Sequence, residues 1–340
     1  MKTPLQPAVW IGSVAVILGM VAAAWTYSSS TAPRQPAGPP EQLTIAFNPA
    51  FIGYALVSIA AANGYFKAEG LDVTLQPHAT GSSALDAALA AQADLAAVAD
   101  TPFMFAVMKG QPVSIVATIS AATKEHGVVA RRDRGIATAA GLKGKRVGVA
   151  PGTAGNFFLD VLLAGHNIQS RQVLIVNLKP QELVDALLSG KLDAAATWNP
   201  YLGELKKALG ENGLVFYDGG YQVTFNVAAR QDFIRQHPAA IKKLTRALLR
   251  AETFAAERPA DAIAIMARAS KTDLADVSAA WPNYQLQVKL DQGLLALLED
   301  QSRWAIKNGY VDRTEVPNYL DFIYPDALAA VEPDAVTIIR

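Results

Sequence analysis

Leu75-Gln-Pro77, Ala84-Leu-Asp-Ala-Ala-Leu89 and Asp94-Leu-Ala-Ala-Val98 return about a hundred residues later. The second copy reads Leu178-Lys-Pro180, Glu182-Leu-Val-Asp-Ala-Leu-Leu188 and Asp193-Ala-Ala-Ala-Thr197. Asp86 and Asp94 stand at one constant offset from Asp185 and Asp193. Each copy reads as a strand, a helix and a second apolar strand. A short continuous apolar strand suits a sheet covered on both faces. Two such α/β units in one chain predict two lobes with a cleft between them. The paired aspartates read as turn residues ahead of the buried strands, not as catalytic groups.

Outward from the repeat, the first unit gains strands over 43–47 and 113–119 and helices over 53–67 and 102–109. The second gains a strand over 146–150 and helices over 156–164 and 200–209. Strands alternating with helices of this length predict parallel βαβ units. After a last strand over 224–229 the chain turns largely helical from Ile241, a tail expected to pack on the first lobe. The chain is expected to cross between lobes near 127–131 and 221–226, and two crossings make a hinge. The expected organisation is a targeting segment over 1–27, a linker over 28–41, lobe 1 over 42–130 plus 225–340, and lobe 2 over 131–224.

The 340 residues, 51% hydrophobic, suffice for two cores of domain size. Formal net charge is zero and no basic stripe exists, so no nucleic-acid partner is expected. The absence of cysteine excludes disulfides, thiolate nucleophiles, thiolate metal sites and a lipid-modified N-terminal Cys. Residues 8–25 form an apolar run interrupted only by Gly and Ser13, about 27 Å long as a helix. It reads as a cleaved signal peptide with Ala22-Ala23-Ala24 at the cleavage site, or as an uncleaved anchor in the inner membrane, the reading preferred here. Either way the rest of the chain is expected in the periplasm or otherwise outside the cytoplasm.

Ligands of α/β sheets sit beyond the carboxyl ends of strands. Two loops at that edge lead into helices with small polar residues: Thr80-Gly81-Ser82-Ser83 and Gly152-Thr153-Ala154-Gly155-Asn156. Free backbone N–H groups at a helix start bind anions without a cation, so facing loops would clamp an anionic head group; taken singly, each reads equally well as a helix cap. Aromatic residues gather on the same edges: Phe47, Phe51, Tyr54, Trp198, Tyr201 and Tyr221. With Asn48, Asn199 and Gln222 for orientation they suit an organic ligand body, or else fill the lobe cores. Asp100, followed by Thr101, either meets an ammonium group or caps the next helix. His78, His126, His166 and His237 are scattered without metal-ligand spacing, and no nucleophile elbow or triad order appears. No catalytic residue, metal or cofactor is therefore expected.

Gly64-Tyr-Phe-Lys-Ala-Glu-Gly-Leu-Asp-Val73, Lys109-Gly-Gln-Pro-Val-Ser-Ile115, Leu142-Lys-Gly-Lys-Arg-Val147 and Ala196-Thr-Trp-Asn-Pro200 carry a resemblance, in one order over roughly 43–308. The chain resembles extracytoplasmic binding proteins of the nitrate, sulfonate, taurine and thiamine-precursor type. The resemblance implies a two-lobed, hinged type II periplasmic-binding-protein fold with a central cleft. It implies partnership with an ABC permease and its ATPase, and a small-molecule ligand held around Ser82, Thr153 and Trp198. Asn199 departs from the acidic residue often found after that Trp. The expected function is capture of a small anionic, sulfonate- or nitrate-like solute by hinge closure. The alternatives are a membrane-tethered sensor using the same cleft and an enzyme on the same scaffold.

Overall fold

The computed structural model describes residues 39–217 and 220–339. The expected targeting segment and most of the expected linker lie outside the described residues.

The first sheet runs in the order β11-β4-β10-β3-β1-β2. Its strands are β1 (Glu41–Phe47), β2 (Leu71–Pro77), β3 (Leu95–Ala99), β4 (Val113–Ala122), β10 (Val223–Arg230) and β11 (Tyr284–Lys289). The second sheet runs β7-β6-β8-β5-β9. It holds β5 (His126–Arg131), β6 (Arg146–Val149), β7 (Leu174–Asn177), β8 (Ala194–Trp198) and β9 (Gly213–Phe216). β1 is parallel to β2 and β3, and β6 is parallel to β7 and β8, as the repeat predicts. The middle strands β3 and β8 are buried and Ala-rich, which lets helices approach both faces closely.

Each sheet then adds an antiparallel strand donated from across the molecule. β5 follows β4 in the chain yet pairs with β8 and β9; β10 follows β9 yet pairs with β3 and β4. The chain therefore passes between sheets at 123–125, and again between Phe216 and Val223. The first crossing comes earlier than the sequence suggests. Residues 126–130, expected in lobe 1, hydrogen-bond in the second sheet. An apolar Gly127-Val-Val-Ala130 run fits either sheet, and only the partner strand decides.

The paired aspartates pin parallel strands. Thr44 N donates to Asp94 Oδ2 at 2.8 Å while Asp94 N donates to Thr44 O at 3.0 Å. In the second copy Arg146 N donates to Asp193 Oδ2 at 2.9 Å and Asp193 N returns a bond to Arg146 O at 2.9 Å. Arg146 adds its guanidinium, 2.8 Å from Asp193 Oδ1, which holds that carboxyl below its usual range. Asp193→Ala leaves a strand-end N–H without its charged acceptor. It is expected to destabilise the protein by about 2 kcal/mol; a loss below about 0.5 kcal/mol in urea denaturation contradicts the pinning role.

The helical tail reaches elements beside both sheets. Helix Gln292–Lys307 lies against helix Asp100–Met108 of the first lobe. Its Trp304 Nε1 also donates to Asp160 Oδ2 at 2.7 Å, on helix Ala154–Gly165 beside the second sheet.

Candidate functional site

A cleft of ≈ 920 Å³ opens between the two sheets, lined from the carboxyl ends of β2, β3, β6 and β8 and from the first crossing. Its walls start with two helix N-termini. Thr80, extended at φ −142°, caps helix Gly81–Leu89 by accepting from Ser83 N at 3.0 Å, and Ser83 Oγ accepts from Thr80 N in return. Thr153, extended at φ −111°, caps helix Ala154–Gly165 by accepting from Asn156 N at 3.3 Å. The first intrahelical bonds are donated by Ala84 and Phe157. The amides of Gly81, Ser82, Ala154 and Gly155 therefore precede the helical ladders.

Eight of the sixteen expected residues line this cleft: Thr80, Gly81, Ser82, Thr101, Gly152, Thr153, Ala154 and Trp198. The other eight take different posts. Phe47 is core. Asn48 braces its own loop, donating to Ala79 O and accepting from Ala50 N at 2.8 Å. Ser83 is consumed by the capping box, and Asn156 Oδ1 accepts from Gly152 N and from Tyr310 Oη at 2.7 Å. Tyr201 accepts from Gln181 and sets its ring edge-on to Trp198, with centroids 6.0 Å apart. Gln222 bonds Gln285 at 3.2 Å. Of the remaining aromatics, Phe51 and Tyr54 line the cleft while Tyr221 is buried.

Asp100 is fully buried and gathers five donors. Tyr221 Oη (2.6 Å), Gln301 Nε2 (2.9 Å) and Thr101 Oγ1 (3.0 Å) reach its Oδ1; Thr224 N (2.6 Å) and Thr224 Oγ1 (3.3 Å) reach its Oδ2. Burial pushes its pKa up and these donors pull it back. With every oxygen engaged, it holds the second crossing rather than a ligand.

Asn199, its counterpart in the repeat, holds the first crossing. Asn199 N donates to Glu125 O at 3.2 Å and its Nδ2 to Glu125 Oε2 at 3.4 Å. Glu125 also accepts from Tyr284 Oη on β11 of the other sheet. Burial pushes the Glu125 carboxyl up to about 7, against the pull of the Tyr284 and Asn199 donors. Burial likewise raises Tyr54 and Tyr284 and lowers His126 to about 3, so that imidazole is neutral at ordinary pH.

Glu125, His126, Phe105, Phe225 and Tyr310 line the cleft without having been expected there. Thr123-Lys124-Glu125-His126 reads as an exposed polar turn after an apolar strand, and only a crossing between lobes buries its second half. The two strands that carry His126 and Trp198 set them side by side as partners, with ring centroids 6.2 Å apart. Gly155 keeps Trp198 in place: a Cβ there would stand 3.1 Å from the indole.

Two α/β sheets exchanging strands through two crossings, with a lined cleft between them, form the two-lobed fold of periplasmic binding proteins. The NMT1/THI5 like family model matches residues 48–262, and the chain belongs to that family. A protein of Brucella abortus (strain 2308), named provisionally as a binding protein, is 27% identical over 231 residues, covering 66% of this chain and 70% of the relative. A Bacillus subtilis (strain 168) protein, named provisionally as an aliphatic sulfonates-binding protein, is 25% identical over 198 residues, 56% of this chain and 58% of the relative. The crystal structure of the periplasmic aliphatic sulphonate binding protein SsuA from Escherichia coli superposes with a TM-score of 0.71. It does so at 19% identity, over 81% of this chain and 95% of that one, a likeness of fold.

Proposed function

We propose that this protein is the substrate-binding component of an ABC importer and captures a small anionic organic solute, sulfonate- or nitrate-like, by closing one lobe on the other. The observation that carries the reading is the pair of helix starts, Gly81–Leu89 from one lobe and Ala154–Gly165 from the other, opening on one cleft. Amides outside the helical ladder and the positive end of the helix dipole favour an anion there. Phe105, Tyr54 and Trp198 offer apolar faces for an organic body. The two crossings act as hinge strands, and a ligand bridging both walls favours the closed state. The lobes of this reading are 39–122 with 223–339, and 126–216. The names of the relatives favour binding, and that of the Escherichia coli protein a place outside the cytoplasm; delivery to a permease and its ATPase follows from the importer role. Residues 8–25 would act as signal peptide or anchor.

Ala154→Pro tests the anion site. Ala154 is the first residue of its helix, where proline is tolerated, and the extended Thr153 before it suits a pre-proline position. Thr153→Pro is a poorer choice, because it also deletes the hydroxyl that accepts from Asn156 N and donates to Ala150 O at 2.7 Å. Losing one amide donor to an anion is expected to weaken ethanesulfonate binding about tenfold in calorimetry, with unfolding unchanged. Equal affinity in the variant contradicts the assignment, and no binding of ethanesulfonate or nitrate by the wild type contradicts the anionic ligand.

A further inference from the structure

Glu125 lines the cleft while only 2% exposed. Its Oε2 is engaged by Tyr284 and Asn199, but its Oε1 is buried with no hydrogen-bond partner among the described residues. Nδ1 of the adjacent His126, which also lines the cleft, is buried in the same condition. A buried carboxylate oxygen without a donor is a costly arrangement, and one that lines a cleft is open to a donor from a bound solute. Among the described residues lining the cleft the one ammonium is that of Lys109, which is exposed, and no guanidinium is present.

We propose that Glu125 is the specificity-determining acceptor of the cleft and takes an N–H of the bound solute, so that the ligand carries an ammonium or amide-type nitrogen beside its anionic group. This rests on the solute-binding reading above and narrows its ligand class. An ionised carboxylate is acceptor-only, which selects for a donor and against a bare anion at that point. Neutral His126 offers one donor and one acceptor to the rest of such a polar group. The rings of Tyr54, Trp198 and Phe225 line the same cleft and suit the underside of a cationic nitrogen. Glu125 sits at the first crossing, bonded to Tyr284 of one sheet and Asn199 of the other. A ligand nitrogen on Oε1 would thus join the group that already ties the two lobes.

The pairing makes capture pH-dependent. The titratable groups facing Glu125 are Tyr54, Tyr284 and His126; burial raises both phenols and lowers the imidazole, so none is a cation near neutrality. Glu125, pushed up to about 7, is mostly protonated below that pH, and an N–H donor must first displace the proton. Affinity for a nitrogen-bearing ligand should then fall as pH drops below 7, by up to about tenfold per pH step.

The matched probes are 2-aminoethanesulfonate and ethanesulfonate, titrated calorimetrically into the full chain at pH 8 and pH 6, wild type and Glu125→Gln. The expected result at pH 8 is about a tenfold preference for the amino compound in wild type, lost in Glu125→Gln. In wild type, which needs no variant to fold, the preference shrinks at pH 6. Equal affinity of the two probes for wild type overturns the proposal, as does a preference that survives in Glu125→Gln or is unchanged at pH 6. If ethanesulfonate binds and the amine adds nothing, this proposal alone falls. If neither probe binds and nitrate does not bind either, the anionic-solute reading falls and takes the proposal with it.

Discussion

Asp100→Ala is expected to lower stability by about 3–5 kcal/mol, the largest effect of any single substitution around the cleft. The carboxylate is fully buried, and its removal strands the Thr224 N–H and the Tyr221 hydroxyl and leaves Gln301 Nε2 its bond to Thr101 Oγ1. Each buried donor left unpaired costs about 1–3 kcal/mol, while a small cavity adds to the loss. Asp100→Asn keeps the shape but turns one acceptor into a donor that faces donors, so it too should destabilise, by about 2 kcal/mol or more. Tyr221→Phe removes a single donor and should lose only about 1 kcal/mol. Chemical denaturation of the three variants gives the order. A loss at Asp100→Ala no greater than at Tyr221→Phe would show that the carboxylate is dispensable to the second crossing.

What the sequence made legible is what repeats. The constant offset of the two aspartate pairs follows from a physical need met twice, a carboxylate holding the backbone N–H of the neighbouring parallel strand. The caps at Thr80 and Thr153 were legible for a similar reason, since small polar residues before a helix satisfy local amides. Partners brought in by topology were not legible. Nothing in the local pattern assigns residues 126–130 to one sheet or the other. Glu125 looks like a solvated turn residue until Tyr284, 159 positions away, is laid over it. Asp100 and Asn199 stand at equivalent positions of the repeat and differ in chemistry. The structure gives the difference its content: each follows the middle strand of its sheet and grips the incoming crossing strand. Asp100 does so as an acceptor for Tyr221 and Thr224, Asn199 as a donor to Glu125. Phe105, Phe225 and Tyr310 come from a helix flank, a strand and the distal tail, positions that read as core by spacing alone.

The asymmetry between the two crossings predicts how stability varies with pH. Burial raises the Glu125 carboxyl from an ordinary 4.5 to about 7. A group whose folded pKa lies above its unfolded value contributes stability that is fully present below the unfolded pKa and lost as pH rises through the folded one. The ligand-free protein should therefore lose stability between pH 4.5 and 7 on account of Glu125, by about 3 kcal/mol across that interval. Glu125→Gln keeps an acceptor for Tyr284 and cannot ionise. It should be more stable than wild type by about 2–3 kcal/mol at pH 8, several degrees in Tm, and equal to it near pH 4.5. Calorimetric unfolding at both pH values decides the matter. A variant less stable than wild type at pH 8 would mean that the ionised carboxylate is already satisfied without ligand, and that its unpartnered oxygen carries no penalty for a bound solute to relieve. A variant that gains stability at pH 8 and loses the preference for a nitrogen-bearing probe would tie the two to one atom. The protein then keeps a destabilising charge at its hinge because the closed, ligand-bound state is where that charge is paired.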